Sequence, residues 1–172
     1  MIISEKDKND TIRVGEIIKK INNIDAGYAN SELDIIFQQQ PFLISLILGY
    51  KIDLKAEEQE EMIKIIFIIW EYFKHSKVVN RIKISQSIFE KNQLRNTHLL
   101  KYLEGAPGQE EKSKVVASDL AHLNSKALLS GLFLRFNTQI DLNTMNAETK
   151  GILMLGMKSL VECFEEIEKN RK

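Results

Sequence analysis

The chain has 172 residues with 24 basic and 24 acidic side chains, so its formal net charge is zero. A chain of this length normally forms one domain and buries a core without disulfides or a structural metal. One cysteine excludes a disulfide scaffold, and zero net charge excludes a globally basic nucleic-acid-binding protein. With 44% hydrophobic and 28% charged residues, the composition is typical of a folded globular protein.

The residue usage and the N-terminus predict an origin and a compartment. Lysine outnumbers arginine 19 to 5, and there are 23 isoleucines and 12 asparagines, residues of A/T-rich codons. We therefore expect a bacterial protein. The first residues lack the apolar run of a signal peptide, and the longest apolar runs fall far short of the ~20 residues that span a membrane. A cytoplasmic protein with no membrane contact is expected.

Apolar side chains recur at helical spacing along nearly the whole chain, whereas strand-like alternation does not persist. The first predicted helix covers residues 10–24, and Gly27 is expected to end it in a left-handed conformation. A short helix is then predicted over residues 31–39, with Ser31 and Asp34 as a capping pair.

Proline and glycine mark the next predicted boundaries. Pro41 favours the first turn of a helix over residues 42–48, and Gly49 is expected to stop that helix. Asp53 is expected to cap the following helix. Residues 62–73 of that helix are apolar on nearly all faces, which predicts a central, buried position.

The second half of the chain is also predicted to be helical. A helix is expected over residues 84–103, and its polar middle, residues 90–98, is expected to be exposed. A flexible loop is expected near residues 104–109, where glycine and proline cluster. One long helix is predicted over residues 109–136, and a last helix over residues 146–167.

These elements predict an all-α fold with a single domain over residues 1–172. The predicted architecture is a bundle of six or seven helices with a short helical corner near residues 31–49. In the last helix Gly156, Ser159 and Cys163 form a strip of small residues. Such a strip suits close approach by another helix, and space filling is the alternative.

Two carboxylate–histidine pairs are the only candidates for metal chemistry, because the usual catalytic and phosphate-binding motifs are absent. Glu71 and His75 are four residues apart, and Asp119 and His122 are three apart. In helical-bundle metal proteins such pairs converge on the ion. Here the helical phase places both pairs on faces that we expect to be solvated. No catalytic residue, metal site or cofactor is therefore predicted.

Charge is distributed unevenly along the chain. Residues 1–73 carry a net charge of −5, residues 74–101 a net charge of +6, and residues 102–172 a net charge of −1. Such a local patch suits contact with an acidic protein, with a second copy or with phosphates, and a self-solvating basic helix is the alternative. The predicted basic patch consists of Lys74, Lys77, Arg81, Lys83, Lys91, Arg95 and Lys101.

The sequence thus predicts a protein that acts by binding, as an adaptor, a regulator or a homo-oligomer, rather than as an enzyme. The expected partner is a protein, either a second copy or an acidic partner. The alternatives are a helical-bundle metal protein or enzyme using the carboxylate–histidine pairs, and a weak nucleic-acid contact through residues 74–101. Residues 38–40 are three glutamines before a proline, which indicates either a helix-end spacer or the lining of a polar pocket.

Overall fold

A computed structural model describes residues 5–105 and 108–169, apart from the side chain of Lys6. Within these ranges the chain forms nine helices and no strand, which confirms the predicted all-α fold. The helices are α1 (Glu5–Asn22), α2 (Ala26–Gln39), α3 (Pro41–Lys51), α4 (Ala56–Phe73), α5 (Gln86–Gly105), α6 (Gln109–Ala121), α7 (Lys126–Thr138), α8 (Ile140–Asn143) and α9 (Ala147–Lys169).

Helices α4 and α9 form the centre of the bundle. Helix α4 packs against α1, α3, α7, α8 and α9, and α9 also packs against α5 and α7. Most residues from 62 to 73 are buried, as predicted, because apolar side chains cover nearly every face of that part of α4. Among the described helices, none is both long enough and apolar enough to cross a membrane.

The predicted helical corner is formed by α2 and α3, but its boundaries differ from the prediction. Helix α2 starts at Ala26 because the side chain of Asp25 accepts a hydrogen bond from the Tyr28 backbone nitrogen at 2.7 Å. The expected cap at Ser31 is therefore wrong. The expected left-handed turn at Gly27 is also wrong, because that residue lies in the first turn of α2.

The junction between α3 and α4 also departs from the prediction. Helix α3 begins at Pro41, as expected, but continues through Gly49 to Lys51. Asp53 does not cap α4. Instead, the carboxylate of Glu58 in the first turn accepts a hydrogen bond from the backbone nitrogen of Lys55 at 2.9 Å.

The long helix predicted over residues 109–136 is two helices, α6 and α7. The break is stabilised from α9, where one carboxylate oxygen of Glu165 accepts hydrogen bonds from the Asn124 nitrogen at 2.9 Å and the Ser125 nitrogen at 2.7 Å. The Ser125 hydroxyl donates to the same oxygen. A carboxylate at the start of α7 satisfies nitrogens that have no partner inside the helix.

This break and the short helix α8 explain why the described residues form nine helices where six or seven were expected. Gly131 on α7 permits a close approach to α1, because a β-carbon at this position would lie 2.9 Å from Cγ1 of Val14. The flexible loop predicted near residues 104–109 includes residues 106 and 107, which lie outside the described residues. That loop and the single domain stay predictions.

The polar middle of α5 is mostly exposed, as predicted, apart from two asparagines. Asn92 and Asn96 are buried, and both face α9. Their side chains find hydrogen-bond partners there, so burial does not leave them unsatisfied.

Candidate functional site

Residues 74–85 form a loop between α4 and α5, and a buried glutamine holds its backbone. The amide nitrogen of Gln40 donates to the carbonyl oxygens of Val79 at 2.6 Å and Ile82 at 2.8 Å. Its amide oxygen accepts from the nitrogen of Ile84 at 2.9 Å. Gln40 is fully buried at the α2–α3 junction. A single side chain therefore satisfies three backbone groups of the loop and fixes its shape.

The fixed loop presents cations to solvent. Lys77, Arg81 and Lys83 are exposed, and no ion pair joins any of them to another residue in the part of the chain that the structure describes. Ile82, between two of these cations, is 42% exposed. We call residues 74–85 the basic loop.

Lys74, at the start of the basic loop, turns inward and belongs to a buried cluster. It pairs with Glu32 at 3.0 Å and with Glu71 at 2.7 Å. Glu71 also pairs with Lys20 at 2.7 Å and accepts a hydrogen bond from Tyr28 at 2.9 Å. Burial by itself raises the pKa of the Glu71 carboxyl, but these three donors outweigh it and hold that pKa below its ordinary value.

The cations of α5 are largely neutralised by α9. Lys91 pairs with Glu166 at 3.1 Å, and Arg95 pairs with Glu162 at 2.8 Å. Lys101 is exposed, with no ion pair among the described residues. The predicted basic patch therefore divides, and its unpaired charge is concentrated in the basic loop.

The interface between α5 and α9 contains a polar cleft of about 350 Å³. Elsewhere in the same interface, Asn96 donates to Ser159 at 3.0 Å and to Glu162 at 2.6 Å. Cations and carboxylates alternate around the cleft, so no single charge dominates. It is lined by Lys91, Asn92, Arg95, Asp119, His122, Leu123, Glu162, Glu165, Glu166 and Lys169.

The two carboxylate–histidine pairs do not share a cleft. Glu71 and His75 line one cleft, and Asp119 and His122 line the cleft between α5 and α9. Asp119 pairs with Lys158 at 3.0 Å. Glu71 was expected to be solvated and is buried, whereas both histidines are exposed. Among the described residues, no three metal-ligating side chains are grouped to hold an ion.

A further cleft, of about 370 Å³, lies where the α3–α4 turn meets the start of α9. We call it the α3–α9 cleft. Burial raises the pKa of the Tyr50 hydroxyl in this cleft to about 12. No local pattern predicts this cleft, because its two walls are 90 residues or more apart in the chain. Its lining is Tyr50, Asp53, Leu54, Glu148, Thr149, Ile152 and Leu153.

The strip of small residues on α9 is covered inside the molecule. Gly156 lies against the Tyr50 ring, and Ser159 accepts the hydrogen bond from Asn96. Cys163 is buried, and burial raises the pKa of its thiol to about 11. The strip therefore packs the bundle and presents no surface to a partner.

Comparisons with known protein families, with curated proteins and with solved structures found no match to this chain.

Proposed function

We propose that this protein acts by binding an acidic protein surface through the basic loop. The proposal rests on one observation: the backbone of the basic loop is fixed, and the charges of its exposed cations are unpaired among the described residues. Gln40 holds the loop by three hydrogen bonds, while Lys77, Arg81 and Lys83 stay exposed. A preorganised surface loses less conformational entropy on binding than a mobile one.

The other basic residues support the choice of this loop. Lys74, Lys91 and Arg95 are already paired with glutamates of the same chain, so a partner would have to compete for them. The loop cations face no such competition in the described structure. They give a surface that steers an oppositely charged partner towards it.

An acidic protein suits this surface better than a nucleic acid. The loop offers Ile82 for apolar contact and carries no phenylalanine, tyrosine or tryptophan, so the imidazole of His75 is its one ring on which a base could stack. The three cations form a compact patch at one end of α4 and can neutralise only a few phosphates, which limits the affinity for a nucleic acid.

The test is affinity capture from cells that make the protein, with three baits compared. They are the wild type, a loop variant (K77E/R81E/K83E), and a control variant (K8E/K19E/K126E) with the same change of charge at exposed lysines elsewhere. We expect a protein that the wild type and the control retain and that the loop variant loses. Equal retention by all three baits, or retention that nuclease abolishes, would contradict the proposal.

A further inference from the structure

The α3–α9 cleft combines an apolar floor with acidic edges. Leu54 and Leu153 are buried in it, and Ile152 is 48% exposed at its mouth. The carboxylates of Asp53 and Glu148 are exposed on its two sides, one from the α3–α4 turn and one from the first turn of α9. Such a cleft suits an apolar side chain that is flanked by cations.

The basic loop has that pattern. Arg81, Ile82 and Lys83 are consecutive and exposed, so an apolar side chain stands between two cations. The Gln40 side chain donates a hydrogen bond to the carbonyl oxygen of Ile82 and accepts one from the nitrogen of Ile84. These two bonds hold the backbone of residues 81–83 in one conformation. The loop and the cleft are therefore complementary in both polarity and charge.

A chain cannot place its own loop in its own cleft. The cleft lies at the N-terminal end of α4 and the loop follows the C-terminal end. The 18 residues of α4 separate these ends by about 27 Å. The complementary partner for each surface is consequently on another molecule.

We propose that the basic loop of one copy docks in the α3–α9 cleft of a second copy. Ile82 then packs against Ile152, and the flanking cations Arg81 and Lys83 approach Asp53 and Glu148. This inference rests on the proposed function and names its acidic partner as a second copy of this chain.

The contact joins two different surfaces, so either two copies exchange loops across a two-fold axis or the contact repeats from copy to copy into a ring or a filament. One loop in one cleft is a small interface, which predicts weak association that grows with protein concentration. Exposed charges at its rim are screened by salt, so the association falls as ionic strength rises.

Charge exchange tests the pairing, measured by sedimentation velocity over a concentration series in 50 mM and 1 M NaCl. The loop variant here is R81E/K83E, and the cleft variant is D53K/E148K. We expect the wild type to associate in low salt, each variant alone to sediment as a monomer, and an equimolar mixture of the two to associate again. All four positions are exposed, and circular dichroism checks that the helices persist.

A disulfide between engineered cysteines locates the contact. Chains carrying I82C and chains carrying I152C are mixed and oxidised, and the native Cys163 does not interfere because it is buried. We expect a covalent dimer from this pair and little from I82C with I12C, since Ile12 is an exposed residue of α1.

The outcomes separate this inference from the proposed function. A wild type that is monomeric at every concentration overturns docking between copies, while the capture experiment still decides whether the loop binds another protein. Association that the loop variant abolishes but the cleft variant leaves unchanged overturns the cleft as the docking site. Equal disulfide yields from the I152C and I12C pairs also overturn it.

Discussion

Tyr50 occupies the space that a side chain at position 156 would need. A β-carbon built at Gly156 overlaps the Tyr50 hydroxyl oxygen, so the ring of a residue on α3 rests directly on the backbone of α9. Tyr50 also lines the α3–α9 cleft, beside residues of the first turns of α9. Glycine at position 156 therefore serves the packing of Tyr50 rather than a special backbone conformation.

We expect Gly156→Ala to destabilise the fold by about 1–3 kcal/mol, because the methyl group displaces Tyr50 from a packed position. Gly151→Ala is the matched control on the same helix, since nothing lies within 4 Å of a β-carbon there. Alanine at that exposed position should raise stability by about 0.5–1 kcal/mol. Urea denaturation measures both changes. Equal effects of the two substitutions would show that Tyr50 does not rest on Gly156.

Gln40→Ala should loosen the basic loop. The substitution removes the partners of three backbone groups at Val79, Ile82 and Ile84, and we expect a loss of stability of about 1–3 kcal/mol. Hydrogen exchange should become faster at the Ile84 amide, which Gln40 protects. Gln38→Ala is the control, because Gln38 is exposed two residues away. Unchanged protection of Ile84 in the Gln40 variant would contradict this role.

Glu165→Ala should destabilise the start of α7. The Glu165 carboxylate accepts hydrogen bonds from two backbone nitrogens and one hydroxyl at the α6–α7 break. Removing the carboxylate leaves those three donors without a partner. We expect a cost of about 1–3 kcal/mol, read from thermal or urea unfolding. Glu168→Ala makes the same chemical change one turn later on the same helix and serves as the control. Similar costs at the two positions would rule out a specific capping role.

Stability should fall in acid partly through Glu71. Because the pKa of this carboxyl is lower in the fold than in the unfolded chain, its contribution is complete above the ordinary glutamate pKa. The contribution is lost as the pH falls through the lowered value. Glu71→Gln should therefore cost stability at pH 7 and flatten the decline between neutral pH and pH 3. Glu57→Gln, at an exposed position of the same helix, is the matched control, and an equal flattening in both variants would contradict this role of Glu71.

Lys20 of the same cluster contributes stability that is lost as the pH rises, rather than as it falls. For Lys20 the hydrogen bond from its ammonium group to Glu71 is the largest cause of a raised pKa. A raised pKa gives stability that is complete below the ordinary lysine value and is lost as the pH rises through the folded value. The cluster therefore supports the fold across the neutral range.

Helical periodicity predicted most of the architecture, because it depends only on neighbouring residues. The buried middle of α4 and the corner made by α2 and α3 follow from local spacing of apolar residues and from Pro41. Boundaries were less accurate wherever a distant side chain decides them. The break in the predicted long helix is stabilised by Glu165, which is 40 residues further along the chain than Ser125. No local pattern indicates that contact.

The candidate site was only partly predictable for the same reason. The excess of positive charge in residues 74–101 is visible in the sequence, but its pairing is not. Lys91 and Glu166 meet only because α5 packs along α9, so the sequence could not separate neutralised cations from free ones. The role of Gln40 could not be predicted, because the backbone groups that it contacts lie about 40 residues further along the chain.

Site-specific photo-crosslinking tests the binding role of the basic loop most directly. A benzophenone amino acid replaces Ile82 in one strain and Ile12 in a control strain, both exposed positions, and the cells are irradiated before lysis. We expect a discrete protein adduct from position 82, containing either a second copy or another protein, that position 12 does not give. Absence of a protein adduct at position 82, or the same adducts from both positions, would contradict it.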